Sequence, residues 1–198
     1  GGVGMSALAF WSLLNKYHVA GYDRDENQFT LSLQSKGVCV QHDLSPKNIS
    51  KYFLDPKQSL VVFTSAIQSD NELYMFFNNR GFHMLKRASF LSLICINYNV
   101  IAIAGTHGKT TISILLSHIL KCSGYSPNAF FGGIYKNDST NFLIGDSDYM
   151  VVEADEYDKS FLELSPQISL ITCIDKDHVD TYKSEKDIIR AYYQFFLK

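Results

Sequence analysis

Apolar positions along the chain switch between a helical repeat and short unbroken runs. In residues 4–17, Met5, Leu8, Ala9, Trp11, Leu13 and Leu14 share one helix face, and HVAGYD at 18–23 then predicts a short strand ending on Asp23. Residues 28–36 predict a second helix and VCV at 38–40 a strand. SPKN follows as a helix start, with Ser45 as cap and Pro46 at the first position, and LVVFTSA at 60–66 reads as a buried strand. Residues 71–79 predict a helix, HML at 83–85 a strand and residues 87–96 a helix. After residues 97–99 the rhythm restarts: the apolar strand VIAIA, the loop GTHGKTT, and a helix through SILLSHILKCSG that Gly124 would stop. FFGGIYKNDSTN has the composition of a turn; YMVVEAD (149–155) and ISLITCI (168–174) are strands, DKDHVDTYKS is a loop, and a last helix starts at Ser184. Strands alternating with helices at this pace predict α/β architecture with parallel sheet. The restart near residues 86–99 marks a boundary, giving domains 1–90 and 91–198.

Composition narrows the class of partner. The 198 residues are 46% hydrophobic and 19% charged, with a formal net charge of -2 and no basic run, so the chain carries no electrostatic footprint for nucleic acid and no polybasic patch for a membrane. Small acidic or phosphorylated molecules fit better, because a few placed cations and backbone N–H groups suffice for them. Cys39, Cys95, Cys122 and Cys173 form no C-x-x-C pair, and three of them sit in apolar segments, which predicts reduced, buried thiols in a cytoplasmic protein. The chain opens on a glycine-rich turn with no strand before it and stops inside a helical pattern, so the natural protein is expected to extend beyond both ends.

Three places carry candidate chemistry. Gly1 and Gly4 fit the second and third glycines of G-x-G-x-x-G, which would aim the amides of the first helix at a phosphate, with Asp23 where a ribose-binding acid falls. GTHGKTT lies between a buried strand and a helix, as a phosphate loop requires. Its N–H groups would wrap phosphates, Lys109 would neutralise them, and Thr110 would ligate Mg²⁺. The first glycine of the Walker A spacing is replaced by Ile103. Glu153, at the carboxyl end of YMVVEAD, stands where a metal-holding acid belongs, and His178 leaves the next strand on the same edge. The rest of EADEYD reads as a solvated acidic turn, which suits Glu156 and Asp158.

Taken together, GGVGMS, SAI followed by DNEL, AGTHGKTT, VVEADEYDKSFL and IDKDHVD resemble the Mur ligase family over essentially the whole chain. The resemblance implies an N-terminal Rossmann-like domain that holds a UDP-sugar, UDP-N-acetylmuramate, and the first part of a P-loop-type ATPase domain. It implies ATP and Mg²⁺ as cofactors and amide formation through an acyl phosphate, with L-alanine brought by a C-terminal domain outside these residues. The polypeptide alone is therefore not expected to ligate. The alternatives are a recycling ligase that adds a tripeptide to the same sugar and shares THGKT and EADEYD, and a non-catalytic sugar-nucleotide-binding fragment.

Residue by residue, the resemblance carries Gly2, Val3, Gly4, Met5, Ser6, Ser65, Ala66 and Ile67, with Arg87 nearby, to the UDP-sugar. Gly105, Thr106, His107, Gly108, Lys109, Thr110 and Thr111 match the ATP loop, which in this family has the short spacing GTxGKT. Glu153 and His178 match residues that hold magnesium, while Asp155, Asp158 and Ser160 match the signature stretch without separate roles.

Overall fold

A computed structural model describes residues 2–135, 140–175 and 181–198 of the chain. It forms two compact units, Gly1–Phe90 and Leu91–Lys198.

The first unit alternates helix and strand: α1 (Val3–Leu14), β1 (Ala20–Tyr22), α2 (Gln28–Ser35), β2 (Cys39–Gln41), β3 (Leu60–Phe63), α3 (Glu72–Asn79) and β4 (His83–Lys86), followed by α4 (Arg87–Cys95), within which the division falls. Pairing is parallel, β1 with β2 from Ala20↔Cys39 and β3 with β4 from Leu60↔His83. The helix starts follow local chemistry. Asn27 accepts from the Phe29 and Thr30 amides while the Thr30 hydroxyl accepts from the Asn27 amide, a reciprocal capping box. Asn71 caps α3 through Leu73 and Tyr74. Two expectations fail. SPKN forms only a 3-10 turn, Pro46–Asn48, because Ser45 makes no capping bond and Ile49 returns to extended backbone. Only LVVF of LVVFTSA is strand; the chain then turns, with the Ile67 amide donating to the Thr64 carbonyl.

In the second unit, β5 (Asn99–Ala104), α5 (Lys109–Cys122), β6 (Asn128–Tyr135), β7 (Thr140–Leu143), β8 (Tyr149–Glu153), β9 (Ile168–Ile171) and α6 (Glu185–Phe196) follow in order. The described strands make one sheet ordered β7-β6-β8-β5-β9, parallel except for β6 against β7. The central strands bury both faces: Val100, Ala102 to Ala104 and Met150 to Val152 are almost without exposure. Ile112, Ile114, Leu116 and Leu120 of α5 pack against Ile103, Ala129, Phe131 and Val151. On α6, Ile188, Ala191, Tyr192 and Phe195 recur at i, i+3, i+4 and i+7 and are all buried, and Phe161 stacks on Phe195 with ring centroids 5.0 Å apart.

The turn predicted for FFGGIYKNDSTN is overturned where it can be seen. FFGGIY lies in β6, because parallel pairing with β8 and antiparallel pairing with β7 outweigh the low strand preference of two glycines. The cysteines also differ from expectation: all four are free, but only Cys95 is buried, Cys173 is intermediate, and Cys39 and Cys122 are exposed. Cys122 ends α5 on a face turned to solvent, where an apolar neighbourhood in sequence does not translate into burial.

Candidate functional site

The register of β5 against β8 decides the site. Ile103 pairs with Glu153 and Ala104 pairs with Ile171, so β5, β8 and β9 end on one edge of the sheet with the loop Gly105–Gly108 directly above it. Gly105 has φ +130, and a side chain there would collide with the Thr172 hydroxyl. Gly108, at φ +82, starts α5 as its N-cap. The segment after β9 ties the loop down. The Thr106 amide donates to the Cys173 carbonyl (3.0 Å), the Asp175 amide donates to the Thr106 hydroxyl (2.9 Å), and the Thr172 hydroxyl donates to the His107 carbonyl (2.5 Å).

Lys109, the first residue of α5, turns back over this loop. Its Nζ donates to the Gly105 carbonyl (2.6 Å) and to Glu156 Oε1 (3.0 Å), with Glu156 Oε2 2.9 Å away across the ion pair. Glu156 has no solvent exposure, and the Lys109 side chain keeps only 13%. The reading of Glu156 as part of a solvated turn is therefore wrong. The chain enters a 3-10 turn, Tyr157–Glu163, in which Asp158 and Lys159 both have positive φ (54° and 56°), and this reversal sends Glu156 inward beside the loop. Asp155 and Ser160 hold the turn: the Asp155 carboxylate accepts from the Tyr157 amide (3.1 Å), and the Ser160 hydroxyl donates to the Asp155 carbonyl (2.8 Å). Asp158 is exposed, as expected, with its amide directed to the Thr181 hydroxyl at 3.4 Å. The buried charge is felt by its neighbours. Burial first, then the Glu156 and Asp155 carboxylates, pushes the Tyr182 phenol up to about 12, and Tyr192 is raised by burial and by Glu156. Tyr182 stays protonated and donates to the Glu156 carbonyl (2.8 Å).

A second polar pair sits one helix position away. The Thr110 hydroxyl donates to Glu153 Oε1 (2.8 Å), and Glu153 Oε2 accepts from the Gly132 amide (2.6 Å). The two glycines of β6 are the condition for this contact. A Cβ on Gly132 would lie 2.6 Å from Glu153 Oε1, and one on Gly133 would lie 2.8 Å from the Thr110 methyl. Thr110 and Glu153 suit a magnesium ion: both offer hard oxygen donors, and their 2.8 Å separation is close to the edge of an octahedron with bonds of about 2.0–2.1 Å. His178, the other expected metal ligand, lies outside the described residues. Among the described residues no cluster of three or more histidine, cysteine, aspartate or glutamate side chains could hold a metal by itself.

Thr106, His107, Gly108, Lys109, Thr110, Thr111 and Glu153 line one cavity of about 340 Å³, so the loop residues singled out in the sequence converge, with Gly105 beneath them. His107 and Thr111 are exposed at its mouth, and His107 Nε2 stands 3.9 Å from Asp175. Glu156 and the glycine pair were missed. The glycines carried a signal, since glycine inside an apolar strand marks a close approach. Glu156 carried none in its local sequence.

In the N-terminal unit, Gly2 caps α1 without a side-chain bond, and its carbonyl accepts from the Met5 and Ser6 amides (both 3.1 Å). Arg87 lies over Gly4, where a Cβ would be 2.8 Å from the guanidinium. That brings together the Val3 to Ser6 turn and Arg87. Ser65, Ala66 and Ile67 occupy the turn after β3. The Asp23 carboxylate accepts from the Asp25 amide (3.2 Å) and the Asn27 side chain (3.4 Å), and so helps to shape the turn into α2.

Residues 1–99 match the model of the Mur ligase family, catalytic domain, and residues 103–198 that of the Mur ligase middle domain. The chain is 40% identical over 202 residues to a UDP-N-acetylmuramate--L-alanine ligase of Cytophaga hutchinsonii, covering 100% of this chain and 43% of that protein. Among solved structures, a UDP-N-acetylmuramate-alanine ligase of Thermotoga maritima superimposes with a TM-score of 0.88 at 29% identity, over 98% of this chain and 45% of its own. A UDP-N-acetylmuramate:L-alanyl-gamma-D-glutamyl-meso-diaminopimelate ligase from Neisseria shares the fold, with a TM-score of 0.89 at 22% identity, over 98% of this chain and 64% of its own. The chain thus spans less than half the length of the curated relative it matches. No helix among the described residues is long and apolar enough to cross a membrane.

Proposed function

This chain belongs to the Mur ligase family, and on that premise we propose that it is the sugar-nucleotide and ATP-phosphate part of an ATP-dependent ligase joining L-alanine to UDP-N-acetylmuramate. The observation that carries the reading is the cavity over GTHGKTT, where Lys109, Thr110 and Glu153 meet around exposed loop residues. The identity to a UDP-N-acetylmuramate--L-alanine ligase along the whole chain supports the choice of substrates.

The chemistry follows from what these residues can do. The amides that open α5 and the Lys109 ammonium receive the β- and γ-phosphates of ATP, because a helix N-terminus and a cation both favour negative charge. Thr110 and Glu153 would hold Mg²⁺, and His178 would join them; the ion supplies positive charge where a carboxylate and a triphosphate must come together. The lactyl carboxylate of the sugar attacks the γ-phosphorus and ADP leaves, giving an acyl phosphate. The L-alanine amine then attacks the acyl carbon and releases phosphate as the amide forms. Loop amides and Lys109 need no proton transfer for the first step, so their role is positioning and charge. In the N-terminal unit, the α1 turn from Gly2 to Ser6, Arg87 and the turn at Ser65 to Ile67 would receive the UDP-sugar. Arg87 over Gly4 supports that assignment.

The test is phosphate release by the full-length protein with ATP and UDP-N-acetylmuramate, offering L-alanine or the tripeptide L-alanyl-γ-D-glutamyl-meso-diaminopimelate. Turnover with L-alanine is expected. Turnover with the tripeptide alone would reassign the acceptor, and sugar-nucleotide binding without ATP hydrolysis would reduce the chain to a non-catalytic binding module.

A further inference from the structure

Lys109 is fully engaged before any nucleotide arrives. An ammonium has three N–H donors, and Nζ donates to the Gly105 carbonyl (2.6 Å), Glu156 Oε1 (3.0 Å) and the Thr106 carbonyl (3.4 Å), with Glu156 Oε2 2.9 Å away across the ion pair. A phosphate therefore cannot be added to this set; it has to replace a partner. The partner that competes most strongly is Glu156, a charge with no exposure to water. It cannot follow the lysine outward. Its backbone is fixed by the Tyr182 phenol on its carbonyl and by the Asp158–Lys159 reversal, and Lys159 also donates its amide to the Glu156 carbonyl at 3.0 Å.

Resting on the nucleotide-loop reading above, we propose that Glu156 is a positioning residue that parks Lys109 across the empty loop and yields it to the triphosphate. Two consequences follow from charge. In the empty site the pair fixes the loop, since the same Nζ also binds the Gly105 carbonyl and so holds the turn in shape. With nucleotide present, Glu156 is a negative charge close to several others, so part of the binding energy of ATP goes into separating it from Lys109. The carboxylate thus trades affinity for an ordered empty loop. A neutral amide of the same shape keeps a hydrogen bond to Lys109 but removes the competing charge.

The experiment compares full-length protein with its Glu156→Gln variant. ATP titrated into the variant is expected to bind about five- to tenfold more tightly, with KM for ATP lowered by a similar factor, while the melting temperature of the empty variant falls. A purely structural role would lower the melting temperature and leave ATP affinity unchanged or weaker, and that result overturns the proposal. Should the variant not fold, the unaltered protein decides. In its crystal structure with a non-hydrolysable ATP analogue, Lys109 Nζ is expected to touch phosphate oxygen and to have left Glu156. An ammonium still paired with the Glu156 carboxylate beside the bound triphosphate overturns the parking role. If the unaltered protein binds no ATP at all, both readings fall together; if it binds ATP and the variant binds no better, only this one does.

Discussion

The chain contains two glycine-rich helix starts that look alike in sequence, GGVGMS opening α1 and GTHGKTT opening α5, and the structure builds them very differently. At α5 the loop sits on a sheet edge and is laced from three directions: Thr172 to Asp175 from below, Glu156 onto Lys109, and Glu153 onto Thr110. At α1 the cap is a bare glycine with open space around it, and Arg87 over Gly4 is the one close approach given by the glycine geometry. A helix N-terminus attracts an anion in either setting. The difference is preorganisation: the α5 loop is held by buried charges whose removal is costly, whereas the α1 turn shows amides, the Ser6 hydroxyl on the Val3 carbonyl and the Arg87 side chain.

The contrast breaks most sharply at Lys109. Lys109→Ala leaves Glu156 buried without its cation, which is expected to cost about 3–5 kcal/mol in urea unfolding of the full-length protein. Pairing Lys109→Met with Glu156→Leu should recover most of that loss, since replacing both charges by apolar groups of similar size is often neutral. Equal losses in the single and double variants would mean that the pair is not the support.

Next in size is a glycine series across the two loops, read by the same unfolding measurement. Gly105→Ala meets positive φ, the Thr172 hydroxyl and backbone atoms of Thr172 and Cys173 at 3.0 Å, so a loss of about 2–4 kcal/mol is expected. Gly4→Ala meets the flexible Arg87 side chain as its nearest neighbour and should change stability by less than about 1 kcal/mol while weakening UDP-sugar binding. Gly2→Ala, with nothing within 4 Å, should cost no more than about 0.5 kcal/mol. Similar losses at Gly105 and Gly4 would remove the distinction between the loops.

The smallest effect is alkaline. Tyr182 titrates near 10 when unfolded and is pushed up to about 12 in the fold, so its contribution is complete below pH 10 and is lost as pH rises through 12. Stability should fall by on the order of 2 kcal/mol across that window, and Tyr182→Phe should flatten the fall. An unchanged slope would show that burial and the Glu156 charge do not hold this phenol protonated in the fold.

Most of the helices were legible because their signals are local: Asn71 before α3, Ser184 before α6, and the i, i+3, i+4, i+7 spacing of Ile188, Ala191, Tyr192 and Phe195 can all be read without a fold. The central strands were legible as continuous apolar runs. The strand β6 was not, since two glycines argue for a turn until a neighbour that needs their missing side chains is known. The 3-10 start at SPKN misled for the converse reason: good capping residues do not make a helix when the next residues are drawn into extended backbone.

By itself the sequence determined the alternation of helix and strand and the loop GTHGKTT with its following helix. It also set Glu153 at a strand end, since strand periodicity and a glycine-bracketed lysine are short-range properties. Only the tertiary structure decided what those residues face. The parallel register that sets Glu153 beside Ile103, and the backbone reversal at Asp158 and Lys159 that turns Glu156 into the partner of Lys109, join residues 47 to 50 positions apart. Contacts at that separation are settled by packing and by the need to neutralise a buried charge, and neither leaves a periodicity in the chain.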